Sequence, residues 1–257
     1  FFWTFCMIEK SIIIEIENLL DNKKIVDSKV LSNSFNINCL KIITEDGKNF
    51  IVKYYYKKKY EFNSILSEAK NLLYFSTQGF NFFPEIVNYN SKFLIMSFID
   101  NNNYQPNKIN DDLLNAITTV HSKKNNDYGF DFDSQIGGLR QINAWSDNWV
   151  DFYRDKRLYY IFDLINKNQP MDRFINIKMD LLLKKIDNLI PSKPKPSLLH
   201  GDLWEGNILF KNKKFSGFID PGSFYGHNEL EVSYLRWFNP KFIDRNFLDK
   251  YNDHISI

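Results

Sequence analysis

The residues of this chain best suited to chemistry stand close together. The stretch Leu198-Leu199-His200-Gly201-Asp202-Leu203-Trp204-Glu205-Gly206-Asn207-Ile208-Leu209-Phe210 carries the pattern H-x-D-x-x-x-x-N, and Phe218-Ile219-Asp220-Pro221 adds a carboxylate at the end of the next apolar run. Phosphoryl transfer from ATP needs a carboxylate that accepts the acceptor hydroxyl's proton, and oxygen ligands for Mg2+. Asp202 is the candidate base; Asn207 and Asp220 are the candidate metal ligands. Two carboxylates this near repel one another in a shielded cleft unless a cation lies between them, and a metal would supply it. Singly, these residues have an ordinary structural reading, because Asp and Asn cap turns and end strands. Taken together, in this order and between apolar strands, they favour the kinase-like one. His200 is read as a hydrogen-bonding group that steadies the loop.

Such chemistry also needs a cation on the nucleotide phosphates. Lys53 closes the run Phe50-Ile51-Val52-Lys53, and Glu68 lies in the following helical stretch. A strand Lys held by a helix Glu is positioned as well as neutralised. Glu61 is the competing partner, and the lesser alternative is that Lys53 and Glu68 are exposed surface charges, the commonest place for these types. The segment Ser32-Asn33-Ser34-Phe35-Asn36-Ile37-Asn38, where a nucleotide loop is expected, contains no glycine. Close backbone approach to phosphate usually uses glycine, although Asn and Ser tolerate turns.

The framework around these residues is legible from period and breakers. Cys39 to Ile43 and Asn49 to Lys53 are strands joined by Glu45-Asp46-Gly47-Lys48, where Asp-Gly supplies a tight turn. Ile65, Leu66, Ala69, Leu72 and Leu73 form one helical stripe. Glu85 to Asn88 and Phe93 to Ile99 read as a further strand pair, broken by Asp100-Asn101-Asn102-Asn103 and Pro106. Beyond the break the pattern is helical: Leu113, Leu114, Ile117 and Val120 run to His121 with Asn110 or Asp111 as cap, and Met179, Leu182, Leu183, Ile186 and Leu189 stop at Pro191. Leu198 to Gly201, Asn207 to Phe210 and Phe215 to Asp220 are short strands around loops.

Composition bounds the rest. At 257 residues, 44% hydrophobic and 25% charged, the chain is globular, one large domain or two small ones. The balance of 33 basic and 31 acidic residues gives +2, so no global field draws it to nucleic acid or an anionic membrane. Cys6 and Cys39 make neither a disulfide framework nor a zinc site, which points to a reducing, cytoplasmic setting, with Cys39 read as a small buried hydrophobe. The apolar run Phe1 to Cys6 lacks a basic leader and ends at Glu9 and Lys10; Met7 is a candidate natural start. No apolar run approaches about 18 residues, so no membrane span is expected. Lys57-Lys58-Lys59 is a solvated surface cluster.

At the residues quoted first, the chain resembles the fructosamine kinase (ketosamine-3-kinase) family, a branch of the aminoglycoside phosphotransferase and choline kinase group. His-Gly-Asp-Leu-Trp-x-Gly-Asn, from His200 to Asn207, and Ile219-Asp220-Pro221-x-Ser223-Phe224-Tyr225-Gly226-His227 match its two catalytic signatures. Tyr128-Gly129-Phe130-Asp131, Ile136-Gly137, Gln141-x-Asn143-x-Trp145, Trp149-Val150-x-Phe152-Tyr153 and Arg157-Leu158 form a block that antibiotic and choline kinases do not share. The likeness runs from about Ser32 to Phe238.

The resemblance implies an α+β, two-lobed protein-kinase-like fold. Residues 1–99 would form a small antiparallel-sheet nucleotide-binding lobe with one helix, and residues 100–257 a larger, mainly helical lobe with the catalytic and metal loops. It implies ATP- and Mg2+-dependent phosphorylation of a sugar hydroxyl on ketosamines, including protein-bound ones, initiating deglycation repair; a monomer is expected. Asp202 would be the base, Asn207 and Asp220 the metal ligands, and Lys53 and Glu68 the phosphate-positioning pair. Met96, Ser97, Phe98 and Ile99 would be the hinge against adenine, and Gln141, Asn143, Trp145 and Trp149 would shape the acceptor side. The chain departs from the family in three places. The nucleotide loop lacks the family's glycines, and Glu231 stands where the family has Asp. The chain also stops at Ile257 where the family continues, with Asn239-Pro240-Lys241-Phe242 replacing a glycine-rich turn, which reads as C-terminal truncation. The alternatives are a small-molecule kinase of the aminoglycoside or choline type and a nucleotide-binding pseudokinase.

Overall fold

The computed structural model describes residues 8–57 and 61–256. Phe1 to Cys6, Met7, and Lys58 and Lys59 of the lysine cluster lie outside the described residues. The described chain opens on helix α1 (Lys10–Leu19), so its N-terminal part holds two helices rather than the one expected. The signal is present in the sequence: Ile12, Ile16 and Leu20 recur every four residues, which places them on one face, and all three are buried.

Strands β1 (Ile25–Ser34), β2 (Ile37–Thr44) and β3 (Asn49–Tyr55) then form an antiparallel meander. Gly47 takes a φ of +75° in the β2–β3 turn, the conformation the Asp-Gly pair is there to supply. Helix α2 (Ser64–Thr77) starts at Asn63, whose side chain accepts from Leu66 N at 3.0 Å. Strands β4 (Ile86–Tyr89) and β5 (Phe93–Ser97) complete a five-stranded antiparallel sheet of order β1-β2-β3-β5-β4. Alternation along β3 sorts its side chains between the two faces. Phe50, Val52 and Tyr54 join Leu40, Ile42, Phe93 and Ile95 under α1, so Ile51, Lys53 and Tyr55 must face the other side.

After the sheet the chain is mostly helical. Helix α3 (Asp111–His121) is capped by Asn110, which accepts from Leu113 N at 2.9 Å and so settles the choice between Asn110 and Asp111. A small hairpin, β6 (Ser134–Ile136) and β7 (Leu139–Gln141), precedes α4 (Trp149–Tyr153). That helix runs through a π-helical turn, Arg154–Tyr159, into α5 (Tyr160–Asn168), and α6 (Arg173–Lys185) comes next. Short strands β8 (Ser197–Leu199), β9 (Ile208–Lys211), β10 (Lys214–Phe218) and β11 (Phe224–Gly226) pair as β9 with β10 and β8 with β11. Helices α7 (Asn228–Trp237) and α8 (Phe247–Asn252) close the described chain.

Helix α2 joins the two parts. Its Ile65, Leu72 and Phe75 belong to one apolar cluster with Leu113 and Val120 of α3, Leu198, Phe210, Phe218, Phe224 and Tyr251. Each such side chain contributes roughly 1.5–3 kcal/mol of burial, so the sheet and the catalytic loops are held against one another by a continuous core. Among the described residues no helix is long and apolar enough to cross a membrane.

Candidate active site

Lys53, aimed away from α1 by the strand alternation, meets α2 on its cleft side. Its Nζ donates to both carboxylate oxygens of Glu68, at 2.7 and 2.8 Å, and to Asp220 Oδ1 at 2.6 Å. Glu61 does not take this place. Burial works against the ammonium, but the Asp220 and Glu68 carboxylates outweigh it and hold Lys53 above its ordinary pKa. The lysine therefore stays charged where it touches the candidate metal loop.

That loop and the one bearing Asp202 pack backbone to backbone. Gly222 N donates to His200 O at 2.9 Å. Gly201 has a φ of +85°, and a Cβ built on it would fall 2.0 Å from Gly222 O, so only glycine fits. His200 is fully buried, and burial lowers its pKa, which keeps the ring neutral. Its Nδ1 accepts from Asp202 N at 3.3 Å, so Nε2 carries the hydrogen and donates to Ile219 O at 3.0 Å. The histidine thus links the two loops, the steadying role read for it. Asp220 itself sits at a φ of +57°, in the left-handed region that Asp and Asn enter more readily than other residues with a side chain and that recurs at functional loops.

Asp202 Oδ2 accepts from Asn207 Nδ2 at 3.2 Å, and Oδ1 from the Tyr234 hydroxyl at 3.3 Å. Burial pushes its carboxyl up to about 6; the bonds from Tyr234 and Asn207 pull the other way, and the charges of Asp220 and Glu231 add to the rise. Asn207 Nδ2 also donates to Asp202 O at 2.8 Å, which leaves its amide oxygen as the end not committed to Asp202. An amide oxygen and a carboxylate suit a hard cation such as Mg2+. Among the described residues there is no group of three or more His, Cys, Asp or Glu side chains that could hold a metal ion, so such an ion would draw its other ligands from water and phosphate, as Mg2+ commonly does.

Glu231 carries the catalytic loop from behind. Buried on α7, it accepts from Gly201 N at 2.6 Å through Oε1, and from His200 N at 2.9 Å and His121 Nε2 at 2.8 Å through Oε2. The glutamate arm, longer than the family's aspartate, therefore reaches both backbone amides of the loop. Burial opposes the charge, but the bond and charge of His121 lead the interactions that bring the carboxyl below its usual value. His121 Nδ1 is 2.6 Å from the Tyr251 hydroxyl, to which Asn228 Nδ2 donates at 3.0 Å. Tyr234, His121 and Tyr251 were not singled out as site residues in the sequence. Their one signal there is the i, i+3 spacing that puts Glu231 and Tyr234 on the same face of α7.

Lys53, Glu68, Met96, Ser97, Phe98, Ile99, Asp202 and Asp220 line one cleft of about 770 Å³. The four acceptor-side candidates scatter. Gln141 is buried and lines a second cavity, about 660 Å³, together with Gly201 and Tyr234. Asn143 is a buried tie: Nδ2 donates to Phe132 O, Ser134 Oγ and Ser223 O, while Oδ1 accepts from Arg157. Trp149 stacks with Phe152 and Tyr153 in the core, and Trp145 is half-exposed with its ring nitrogen on Asp131. Asn143, Trp145 and Trp149 are not among the residues lining either cavity. The Asn143 amide and the Trp149 ring are taken up in packing and in fixing the loops around β6 and β7, whereas Trp145 stays open to solvent.

The fold is that of the kinase-like phosphotransferases, an α+β architecture in two lobes. It is similar to a candidate fructosamine-3-kinase of Thermobifida fusca, with a TM-score of 0.81 at 19% identity over 96% of this chain and 85% of that one. It is also similar to an aminoglycoside phosphotransferase solved with streptomycin and ATP, with a TM-score of 0.65 at 15% identity over 97% and 83%. The fructosamine kinase family model matches residues 9–257, and the chain belongs to that family. Curated relatives include the chloroplastic protein-ribulosamine 3-kinase of Arabidopsis thaliana, 34% identical over 60% of this chain, and the ketosamine-3-kinase of Mus musculus, 37% identical over 41%. The matched stretches span 48% and 34% of those two relatives' own lengths, so the chain matches half of them or less.

Proposed function

We propose that this protein is an ATP-dependent kinase of ketosamines, phosphorylating a sugar hydroxyl on fructosamine or ribulosamine adducts of lysine and so initiating deglycation. The observation that carries the reading is Lys53, bonded to both Glu68 and Asp220 in the cleft that Asp202 also lines. In this reading residues 1–99 bind nucleotide, with Met96 to Ile99 against the adenine, and residues 100–257 supply the chemistry. Lys53, steadied by Glu68, exchanges Asp220 for phosphate oxygens when ATP enters. Asp220 and the Asn207 amide oxygen would hold Mg2+, which would supply charge neutralisation on the phosphates. Asp202 takes the proton of the acceptor hydroxyl as its oxygen bonds to the γ-phosphorus and the bond to the ADP oxygen breaks. Gln141 keeps an acceptor-side place, because its cavity also meets Gly201 and Tyr234, the neighbours of the base.

The names of the curated relatives support the acceptor class. A cytoplasmic setting rests on cysteine usage alone, and the plant relatives are named as chloroplastic. The test is phosphate transfer from Mg-ATP to fructosyl-lysine and ribulosyl-lysine, with unmodified lysine, kanamycin and choline alongside. Asp202→Asn serves as the blank and should lose about 100- to 10,000-fold in rate while remaining folded. Transfer to kanamycin or choline and not to ketosamines overturns the substrate class; nucleotide binding with no transfer to any acceptor indicates a pseudokinase.

A further inference from the structure

The nucleotide hairpin carries a residue that its backbone disfavours. Ser34 pairs with Ile37 at the end of β1 and β2, which leaves Phe35 and Asn36 as a two-residue turn, with φ of +50° and +62°. Asparagine tolerates that region; a phenylalanine there is strained. The ring is 57% exposed, so burial in a core does not explain it. It lies instead across the tip of the β6–β7 hairpin. A Cβ built on Gly138 would fall 2.6 Å from Phe35 Cγ and 2.7 Å from its Cβ, and one on Gly137 would fall 3.8 Å from Cε2. The Gly137-Gly138 tip is therefore a bare platform on which the ring rests, and a side chain on Gly138 would dislodge it.

The platform is anchored to the metal loop. Ser134 Oγ donates to Gly222 O at 3.0 Å, Gln141 Nε2 to Gln135 O at 3.3 Å, and Gly138 N to Gln135 Oε1 at 3.1 Å. Phe35, Gly137 and Gly138 line the same cleft as Lys53, Asp202 and Asp220. Contact between the two tips thus spans the cleft from the nucleotide hairpin to the hairpin tied to Gly222.

We propose that Phe35 is a positioning residue that closes the cleft over the nucleotide, doing with a side chain what the missing glycines would do with backbone, and that its seat on Gly137-Gly138 keeps water from replacing the acceptor. This rests on the phosphotransferase reading above. In productive transfer the acceptor oxygen bonds to the γ-phosphorus, its proton passes to Asp202 and the bond to the ADP oxygen breaks. If water enters instead, its oxygen forms that bond, one of its protons passes to Asp202, the bond to the ADP oxygen breaks, and inorganic phosphate is released.

The test measures ADP and phosphorylated fructosyl-lysine in the same reaction for the full chain. Wild type should form the two in equal amounts at saturating acceptor. Phe35→Ala should raise the KM for ATP about fivefold, the worth of roughly half a buried phenylalanine, and form more ADP than phosphorylated product. Gly138→Ala should do the same in the wild-type background and add little to Phe35→Gly, which removes both the ring and the Cβ that a Gly138 methyl would meet at 2.7 Å. The backbone strain of alanine at φ +80° is common to both backgrounds and cancels in that comparison. Unchanged KM and product ratio in Phe35→Ala, or equal effects of Gly138→Ala in both backgrounds, overturns the proposal. If wild type transfers no phosphate, the kinase reading falls by itself. Calorimetric affinity for Mg-ATP then still decides the closure, with equal Kd for wild type and Phe35→Ala overturning it.

Discussion

Replacing Glu231 by glutamine removes one charge and no volume, which makes it a clean test of what holds the catalytic loop. The carboxylate has two acceptor oxygens and three donors: Gly201 N on Oε1, and His200 N with His121 Nε2 on Oε2. A glutamine keeps one carbonyl oxygen. If that oxygen stays on His200 and His121, the amide NH2 confronts the Gly201 N–H, and a buried donor is left facing a donor. An unsatisfied buried group costs about 1–3 kcal/mol, and turning two charge-assisted bonds into neutral ones costs roughly 1 kcal/mol each. Relief from burying the charge offsets part of this, so about 3 kcal/mol of net destabilisation is expected. At roughly 2–4 °C per kcal/mol for a chain of this size, Tm should drop by roughly 6–12 °C.

The pH dependence adds a second readout. Glu231 has its pKa lowered in the folded state, so its stabilisation is fully present above the unfolded value near 4.5 and is lost as pH falls through the lower folded value. The gap between wild type and Glu231→Gln in urea unfolding should accordingly be flat from about pH 5.5 to 8 and narrow only below about 4.5. Asp202 moves with the held amide directly, so the rate should also fall, on the order of 100-fold for an ångström of displacement. Glu231→Asp keeps the charge with a shorter arm and should recover part of both losses. A Glu231→Gln protein within about 0.5 kcal/mol of wild type at pH 7 would refute the idea that this carboxylate carries the loop.

The same geometry sets three further outcomes. Lys53→Met leaves the buried Glu68 without its ammonium, so unfolding free energy should fall by about 3 kcal/mol and the KM for ATP should rise, both read from one purified variant. Gly201→Ala places a methyl 2.0 Å from Gly222 O; it should lose transfer activity with a lowered Tm, whereas Gly47→Ala, whose Cβ meets nothing within 4 Å, should cost only the strain of its positive φ, about 1 kcal/mol. Cys39 is half-buried on the wall of the cleft, where desolvation pushes its thiol up to about 11 against the pull of Lys53, so site-resolved mass spectrometry should find it alkylated much more slowly at pH 7.5 in the native protein than once denatured.

Whatever depends on near neighbours was already written in the amino-acid order. His200 to Asn207 and Asp220 lie within one short stretch, and the apolar strands on either side can only present those polar residues in the loops between them. Period 2 along β3 sends Lys53 to the face opposite α1, and the four-residue spacing of Ile12, Ile16 and Leu20 marks α1 even though one helix rather than two was expected there. Charge chemistry then makes Lys53 with a carboxylate a natural pair, but the choice of Glu68 over Glu61 came from how α2 packs.

The remainder waited on tertiary contacts, because burial and hydrogen-bond satisfaction are settled between segments far apart in the chain. His121 meets Glu231 across 110 positions, and Ser223 N finds Asn71 across 152. Asn143 and Trp149 have side chains equally suited to holding a polyol or to filling a core, and only the neighbours folded around them, Ser134, Ser223 and Arg157 for one, Tyr128, Phe152 and Tyr153 for the other, assign them to the scaffold. Phe35 is the sharpest case. Along the sequence it is an unlikely residue at a glycine's place; its contact is made by two glycines about a hundred residues away, and no local rule could have brought those two hairpin tips together.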